Sequence, residues 1–464
     1  MKFYGFLLTA VAVAAQAAPA PEITDHARAE ARELFAAAIG FETSIGNGQV
    51  PKFAEYLAER FRNAGFPAAD LHVMPLGETA SLVVRYRGDG SGGRPIALLA
   101  HMDVVAAKRS DWKRDPFTLV EENGNFYGRG TMDIKSEIVL LTETFLRLKT
   151  AGFVPTRDLI IYFSGDEETK QATSEDIVAH HRELVDAEFA LNGDGGGGVL
   201  SEATGKPQVF YVQGAEKSSS TYSLTARNPG GHSSLPRADN AIYELAAALI
   251  AVQHYQFPVM TNEWTLGDLK AAGALTPGAL GTAMRRFVAD PTDAAAAAEI
   301  SSIPAFVGKL RTTCVATMLA GGHAENALPQ SAVGTVNCRI FPGVSPRAVM
   351  AQLQTLAGPG VEVTMNYEPL ASDASPLRAD VIAAVTKAVA VSGPGATVVP
   401  TMAAYATDGA VFRKHGIPTY GVGSVFSKSS EEFAHGLDER LPVASFYSGL
   451  AYWDVVLRTL AGRP

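Results

Sequence analysis

At 464 residues the chain has the length of roughly two or three ordinary domains, and 47% hydrophobic with 19% charged residues is the balance of a folded globular protein. Disordered, collagen-like and coiled-coil chains are excluded by that composition. The 39 basic residues against 48 acidic ones give a net charge of −9, without the basic excess or stripe that a nucleic-acid partner would require.

Lys2 precedes an apolar run over 3–15, and Ala15, Gln16 and Ala17 form a small-x-small cleavage pattern, so residues 1–18 read as a secretory signal peptide. The run is too short to span a bilayer. The mature chain is therefore expected to be exported, periplasmic or secreted, with no membrane span.

Period-four apolar residues predict helices over 30–39 and 51–64; in the second, Phe53, Leu57 and Phe61 share a face, Pro51 suits the first turn and Gly65 stops it. Apolar strands follow over 81–86, 95–100, 158–163 and 189–191, with a helix over 136–151 between the second and third. Continuous apolar strands alternating with helices indicate an α/β sheet covered on both faces. The pattern changes near the polar, linker-like stretch 214–220. Strand 221–227, helix 238–255, strands 312–320 and 331–341, helix 346–356 and strand 361–367 then give a βαββαβ order, a compact antiparallel α+β unit of ferredoxin-like kind. Residues 256–310 are an insertion between its first helix and second strand. After 372 the α/β character resumes, with a helix over 380–391 and strands over 397–400 and 418–422. The expected organisation is a catalytic α/β domain over 19–215 and 372–464, interrupted by a smaller lid or dimerisation domain over 216–371. Cys314 and Cys338 are too few for a disulfide scaffold and lack metal-site spacing. Their places in consecutive strands put them almost opposite each other, close together but with the bridge itself left open.

Five short motifs fall at strand ends or in the loops after them: His101-Met102-Asp103, the loop from Gly128 to Asp133, Asp166-Glu167-Glu168, Asn192-Gly193-Asp194, and the stretch from His435 to Glu439. In open α/β sheets ligands bind in the crevice outside the carboxyl ends of the strands, so these loops are able to converge on one site. Imidazoles and carboxylates together suit Zn²⁺, Mn²⁺ or Co²⁺ rather than a soft metal.

The ordered set resembles the di-metal exopeptidase and aminoacylase family of carboxypeptidase S, glutamate carboxypeptidase and succinyl-diaminopimelate desuccinylase, from about residue 50 to 460. It is most similar to the carboxypeptidase S branch, through His101 to Val105, Trp112 with Asp115 to Phe117, Tyr127 to Thr131, and Arg311 to Thr313 through Arg339. The resemblance implies two divalent ions, zinc foremost, with His101 and Asp194 on one, Glu168 and His435 on the other, and Asp133 bridging. It implies Glu167 as general base and then general acid, and Asp103 as the acceptor of the remaining His101 N–H that fixes its tautomer. His232, in the loop from Gly230 to Ser234, would polarise the scissile carbonyl and in dimeric members reaches the neighbouring subunit; Asn326 would help hold the carbonyl oxygen, and Arg339 would grip a free carboxylate. Two positions depart from the pattern. Ile134 stands where many relatives have an acid or Met, and Ala324 stands where the carboxypeptidase S branch commonly has Lys.

The expected activity is zinc-dependent hydrolysis of C-terminal peptide bonds or of N-acyl amino acids, on a peptide or N-acyl amino acid substrate. A dedicated deacylase or desuccinylase is the rival within the same chemistry. An exported metal- or peptide-binding protein on a dead hydrolase scaffold is the rival outside it, disfavoured because Glu167 and all five ligands are present. No G-x-S-x-G nucleophile elbow occurs, which removes the serine-hydrolase reading.

Overall fold

The computed structural model describes residues 23–367 and 370–463, so the expected signal peptide lies outside the described residues. Its largest sheet has ten strands. In spatial order they are Leu71–Leu76, Thr79–Tyr86, Leu159–Ser164, Ile96–His101, Phe189–Asn192, Thr419–Gly421, Pro207–Glu216, Gly197–Leu200 and Phe426–Ser427, with Thr397–Ala403 also paired to Pro207–Glu216. The centre is parallel: Ile96–His101 runs between Leu159–Ser164 and Phe189–Asn192, and the latter pairs in parallel with Thr419–Gly421. Antiparallel strands flank it.

Both faces of this centre are covered, which is why its strands read as unbroken apolar runs rather than alternating ones. Leu98, Leu159, Ile161 and Leu191 face the helices Asp25–Gly40, Val50–Asn63, Lys135–Thr150 and Val443–Ala461, whose Phe35, Phe53, Phe61, Phe145 and Trp453 fill the main core. Their neighbours Ala97, Leu99, Ile160 and Tyr162 point the other way, onto Ile177, Val178, Val411 and Phe412. Among the described residues, no helix is long and apolar enough to cross a membrane.

The smaller unit is a four-stranded antiparallel sheet in the order Thr313–Gly321, Ser331–Ile340, Ser218–Arg227, Val361–Met365, carrying the helices Ala241–His254 and Pro346–Ala357. This is the expected βαββαβ arrangement, with its own core of Tyr222, Leu224, Leu245, Val336, Ile340 and Leu353. Cys314 and Cys338 are direct partners in adjacent strands and are bridged, with Cα atoms 4.1 Å apart.

One feature differs from the sequence reading. The polar stretch 214–220 is no loose linker: Pro207–Glu216 runs almost directly into Ser218–Arg227, with buried Lys217 between them. The small and hydroxylated side chains there serve close packing rather than solvation, and a Cβ at Gly214 would collide with the Trp264 ring. The insertion forms the helices Glu263–Leu275, Gly278–Ala289, Ala294–Ser301 and Pro304–Leu310. Its Trp264 enters the main core and donates its indole N–H to the Ser375 carbonyl at 2.7 Å, while Gly267 lies against Pro400 of the Thr397–Ala403 strand.

Candidate active site

The register of the parallel centre aligns the ends that matter. His101 is paired with Ser164, and Leu99 with Asn192, so His101, the turn after Ser164 and the loop after Asn192 emerge side by side at the carboxyl edge. Asp133 arrives from the turn that precedes the helix Lys135–Thr150, where the Asp133–Ile134 peptide is cis. His435 arrives from the loop before the C-terminal helix.

The five expected ligands fall into two groups that share Asp133. In each of the sets His101, Asp133, Asp194 and Asp133, Glu168, His435, one donor atom per residue lies within 4.8 Å of the others. His101 Nε2 is 3.0 Å from Asp133 Oδ1 and 3.9 Å from Asp194 Oδ2, and His435 Nε2 is 3.0 Å from both Asp133 Oδ2 and Glu168 Oε1.

This donor set fits a pair of divalent cations. His101 Nδ1 lies 2.9 Å from the Asp103 main-chain carbonyl. Donation there leaves Nε2 facing two carboxylate oxygens, where it carries a proton and donates to Asp133 in the metal-free protein, and where a neutral imidazole would offer its lone pair to a cation lying between them. Four carboxylates, Asp133, Glu167, Glu168 and Asp194, crowd around two imidazoles. Burial, reinforced by the charge of Asp194, pushes the Glu167 carboxyl well above its usual range. Burial does the same for Asp194, and burial with the Asp133 charge raises Glu168. Asp133, despite its burial, is held below the carboxylate range by hydrogen bonds from His101 and His435. His435 is raised to about 9, first by its hydrogen bond to Asp133 and then by the Glu168 and Asp133 charges, which outweigh burial.

Asp103 accepts the remaining His101 N–H as expected, through its main-chain oxygen rather than its side chain. Its carboxylate is 3.6 Å from His101 Nδ1, and the tautomer is fixed by its own main-chain oxygen. The carboxylate instead accepts the main-chain N–H groups of Glu167, at 3.1 Å, and Glu168, at 3.0 Å. It holds the turn that presents both glutamates. Glu167 Oε1 accepts from Gln171 Nε2 at 2.9 Å.

Glu439, inside the fifth motif but without an assigned role, turns out to tie two ligand loops together. Its fully buried carboxylate accepts from the N–H groups of Met132, Asp133 and Gly130 and from Arg129 Nη1 at 2.6 Å. Arg129 in turn donates to the carbonyls of His435 and Gly436. A third loop is held by Glu216, Gln213, Thr407 and Asn192. Thr407 Oγ1 donates to Glu216 and accepts from Asn192 Nδ2, and Asn192 Oδ1 accepts the N–H of Asp194. No spacing rule marks these residues, because they come from strands far apart in sequence.

Asp133, Glu167, Glu168, Asp194 and His435 line one cavity of about 570 Å³, whose walls include Val199, Tyr211, Tyr405 and Val425. Neither His232 nor Asn326 lines it. Both are exposed and sit together in the smaller domain, where Gly231–His232 pairs with Ala327–Leu328 and Ser233 N–H donates to the Asn326 carbonyl. Arg339 stands between the two regions and donates from Nη1 to the Ala404 carbonyl at 3.4 Å, next to Tyr405.

A sequence profile described as Peptidase family M20/M25/M40 matches residues 97–459. The N-fatty-acyl-amino acid synthase/hydrolase PM20D1 of Xenopus tropicalis is 28% identical over 326 residues, covering 69% of this chain and 63% of that protein. The probable carboxypeptidase S-like 2 of Dictyostelium discoideum is 27% identical over 339 residues, again 69% and 63%. The chain thus spans less than two thirds of the length of these curated relatives. Among solved structures, an M20 family metallo-carboxypeptidase from Sulfolobus solfataricus superposes with a TM-score of 0.68 at 17% identity, covering 93% of this chain and 99% of that one.

Proposed function

The chain belongs to peptidase family M20/M25/M40, and on that premise we propose that it is an exported hydrolase cleaving an amide bond beside a free carboxylate, in C-terminal peptides or N-acyl amino acids. The observation that carries this reading is the convergence of both ligand groups and Glu167 on one cavity. His101 and Asp194 would hold one divalent cation, Glu168 and His435 the other, and Asp133 would contact both; such a pair, when bound, supplies Lewis acidity and lowers the pKa of water. Nitrogen and carboxylate donors favour Zn²⁺, with Co²⁺ or Mn²⁺ as substitutes.

Glu167 is the residue left to move protons. It belongs to neither ligand group, its turn is fixed by Asp103, and its carboxyl is raised by burial toward the range useful for a group that takes a proton from the attacking water and returns it to the leaving amine. Val199, Tyr211 and Val425 give the cavity an apolar wall suited to an acyl chain or apolar side chain. The names of the relatives are consistent with that class of substrate.

Metal analysis of the purified protein, coupled to a panel of dipeptides and N-acyl amino acids, tests the reading. Glu167→Gln should keep both metals and lose turnover by about 10²–10⁴, whereas Glu168→Gln should lose a metal first. Reversed behaviour would exchange the two roles, and unaffected turnover in both would remove the active-site assignment.

A homodimer belongs to the same proposal. The Thr313–Gly321 strand forms one edge of its sheet and exposes Val315, Met318 and Leu319, while the helix Ala241–His254 exposes Ile242, Tyr243 and Ile250. An apolar edge strand of this kind is a template for pairing with another chain. A second copy there would also give His232 and Asn326 a site to serve. Light scattering should return twice the chain mass, and mixing His232→Ala with Glu167→Gln protomers should restore activity that neither has alone. Export is supported by the leader-like residues 1–18 and by the Cys314–Cys338 bridge, which persists in oxidising compartments.

A further inference from the structure

A second cavity, of about 470 Å³, shares Gly196, Tyr211 and Tyr405 with the first and is bordered by the inserted helix Pro304–Leu310. Gly196 brings no side chain to the shared border, so the partition between the two spaces is made by two rings. They are held differently. Tyr211 lies within the strand Pro207–Glu216 and is paired on both sides, with Gly197 and with Val399. Tyr405 lies past the end of the strand Thr397–Ala403, in the turn before the helix Asp408–Lys414, and is 50% exposed. Its hydroxyl donates to Gln213 Oε1 at 3.1 Å, and the same oxygen accepts the Gly196 N–H at 3.3 Å. Gln213 is buried and donates in turn to Glu216, so the tether point is fixed. Among the described residues the hydroxyl makes no other hydrogen bond. Its chain neighbours, Ala404 and Ala406, are too small to wedge the ring. One neutral hydrogen bond is worth only about a two- to tenfold preference, which a ligand gaining more than that from burial would overcome.

The space behind Tyr405 suits an apolar chain. Pro304, Ala305, Met402 and Ala403 line it. Its two ammonium groups are already engaged, Lys309 with Asp268 and Lys217 with the Arg311 carbonyl. Val199, Tyr211 and Val425 form the apolar wall of the first cavity, and Tyr211 carries that wall on into the second. A chain that follows this wall out of the first cavity passes between Tyr211 and Tyr405.

We propose that Tyr405 sets the length of acyl chain the protein accepts. Tethered to Gln213, its ring closes the second cavity and confines the acyl group to the first. Displaced, it admits a longer apolar chain beneath the helix Pro304–Leu310. The proposal rests on the amide-hydrolase reading above and deepens it, by naming the residue that selects among N-acyl substrates.

The test measures kcat/KM of the metal-loaded protein for N-acetyl-leucine and N-dodecanoyl-leucine, and reads the dodecanoyl-to-acetyl ratio, in which a general loss of activity cancels. Tyr405→Ala should raise that ratio about tenfold or more, the equivalent of two newly buried methylene groups. Tyr405→Phe, which cuts only the tether, should raise it about two- to tenfold. Adding Ala305→Phe to Tyr405→Ala fills the second cavity from the inserted helix and should return the ratio towards the wild-type value. An unchanged ratio in Tyr405→Ala would overturn the proposal. A gain that Ala305→Phe does not reverse would overturn it too, because the chain would then run elsewhere. If Tyr405→Ala does not fold, Tyr405→Phe decides. If the wild type cleaves neither compound, the hydrolase reading fails by itself; the same ratio in calorimetric binding to wild type and variants then decides the role of Tyr405.

Discussion

Replacing Glu439 by Gln should unfasten the metal loops without touching a ligand. In the wild type, Oε1 accepts from Met132 N at 2.7 Å and Asp133 N at 3.0 Å, while Oε2 accepts from Gly130 N at 3.0 Å and Arg129 Nη1 at 2.6 Å. Glutamine satisfies one side only. Its NH₂ then meets two donors, leaving the Gly130 N–H without an acceptor, at about 1–3 kcal/mol, and a buried guanidinium without its counter-charge, at about 3–5 kcal/mol. Arg129 keeps the His435 and Gly436 carbonyls and the Trp112 face, 5.2 Å from its guanidinium, so the total belongs in the lower part of that sum, about 4–5 kcal/mol. The same loosened loops carry Asp133 and His435, so metal should be lost alongside stability. Urea unfolding of the metal-loaded protein, with metal content measured after dialysis, checks both. A shift below about 1 kcal/mol with two metals retained would refute the argument, because the four hydrogen bonds would then be holding nothing in place.

Asp103→Asn should leave His101 correctly oriented, since the Asp103 main-chain carbonyl is untouched, while one of the Glu167 and Glu168 N–H groups loses its acceptor; kcat should fall more than affinity for the His101-side metal, by titration with chelator. In the metal-free protein His435 has a folded pKa of about 9 against 6.5, so its stabilising contribution is complete below about 6.5 and lost as pH rises through about 9. Thermal melts of chelator-treated protein should show that decline, and metal-loaded protein should not. Trp264→Ala should cost about 3–5 kcal/mol and expose the insertion to protease, because this ring anchors the insertion in the main core. Unfolded, unreduced protein should titrate no free thiol, and losing the bridge, which closes a sequence separation of 24, should destabilise the smaller domain by about 3 kcal/mol.

What could be read from the sequence was what short range dictates. Unbroken apolar runs such as 158–163 are strands because both faces of a parallel centre are covered, and the structure places Leu159–Ser164 there. The βαββαβ order of the smaller unit followed from period and turn residues. Cys314 and Cys338 could be placed opposite each other by counting from the turn between their strands.

The site divides along the same line. Each ligand motif sits at a strand end or in a short loop, so its residues could be named one by one, and the register of the central strands then brings them together. The supporting bonds could not be read that way. The use of the Asp103 carboxylate on the glutamate turn, the four bonds to Glu439, and the chain from Glu216 through Thr407 to Asn192 join segments tens to hundreds of residues apart. The docking of the insertion through Trp264 is equally non-local, because a tryptophan on a helix does not specify which core will receive it. Local pattern fixes which face of a strand or helix is apolar and where a polar side chain emerges. Which distant group completes its hydrogen bonds or balances its charge is decided only when the sheets and domains close over one another.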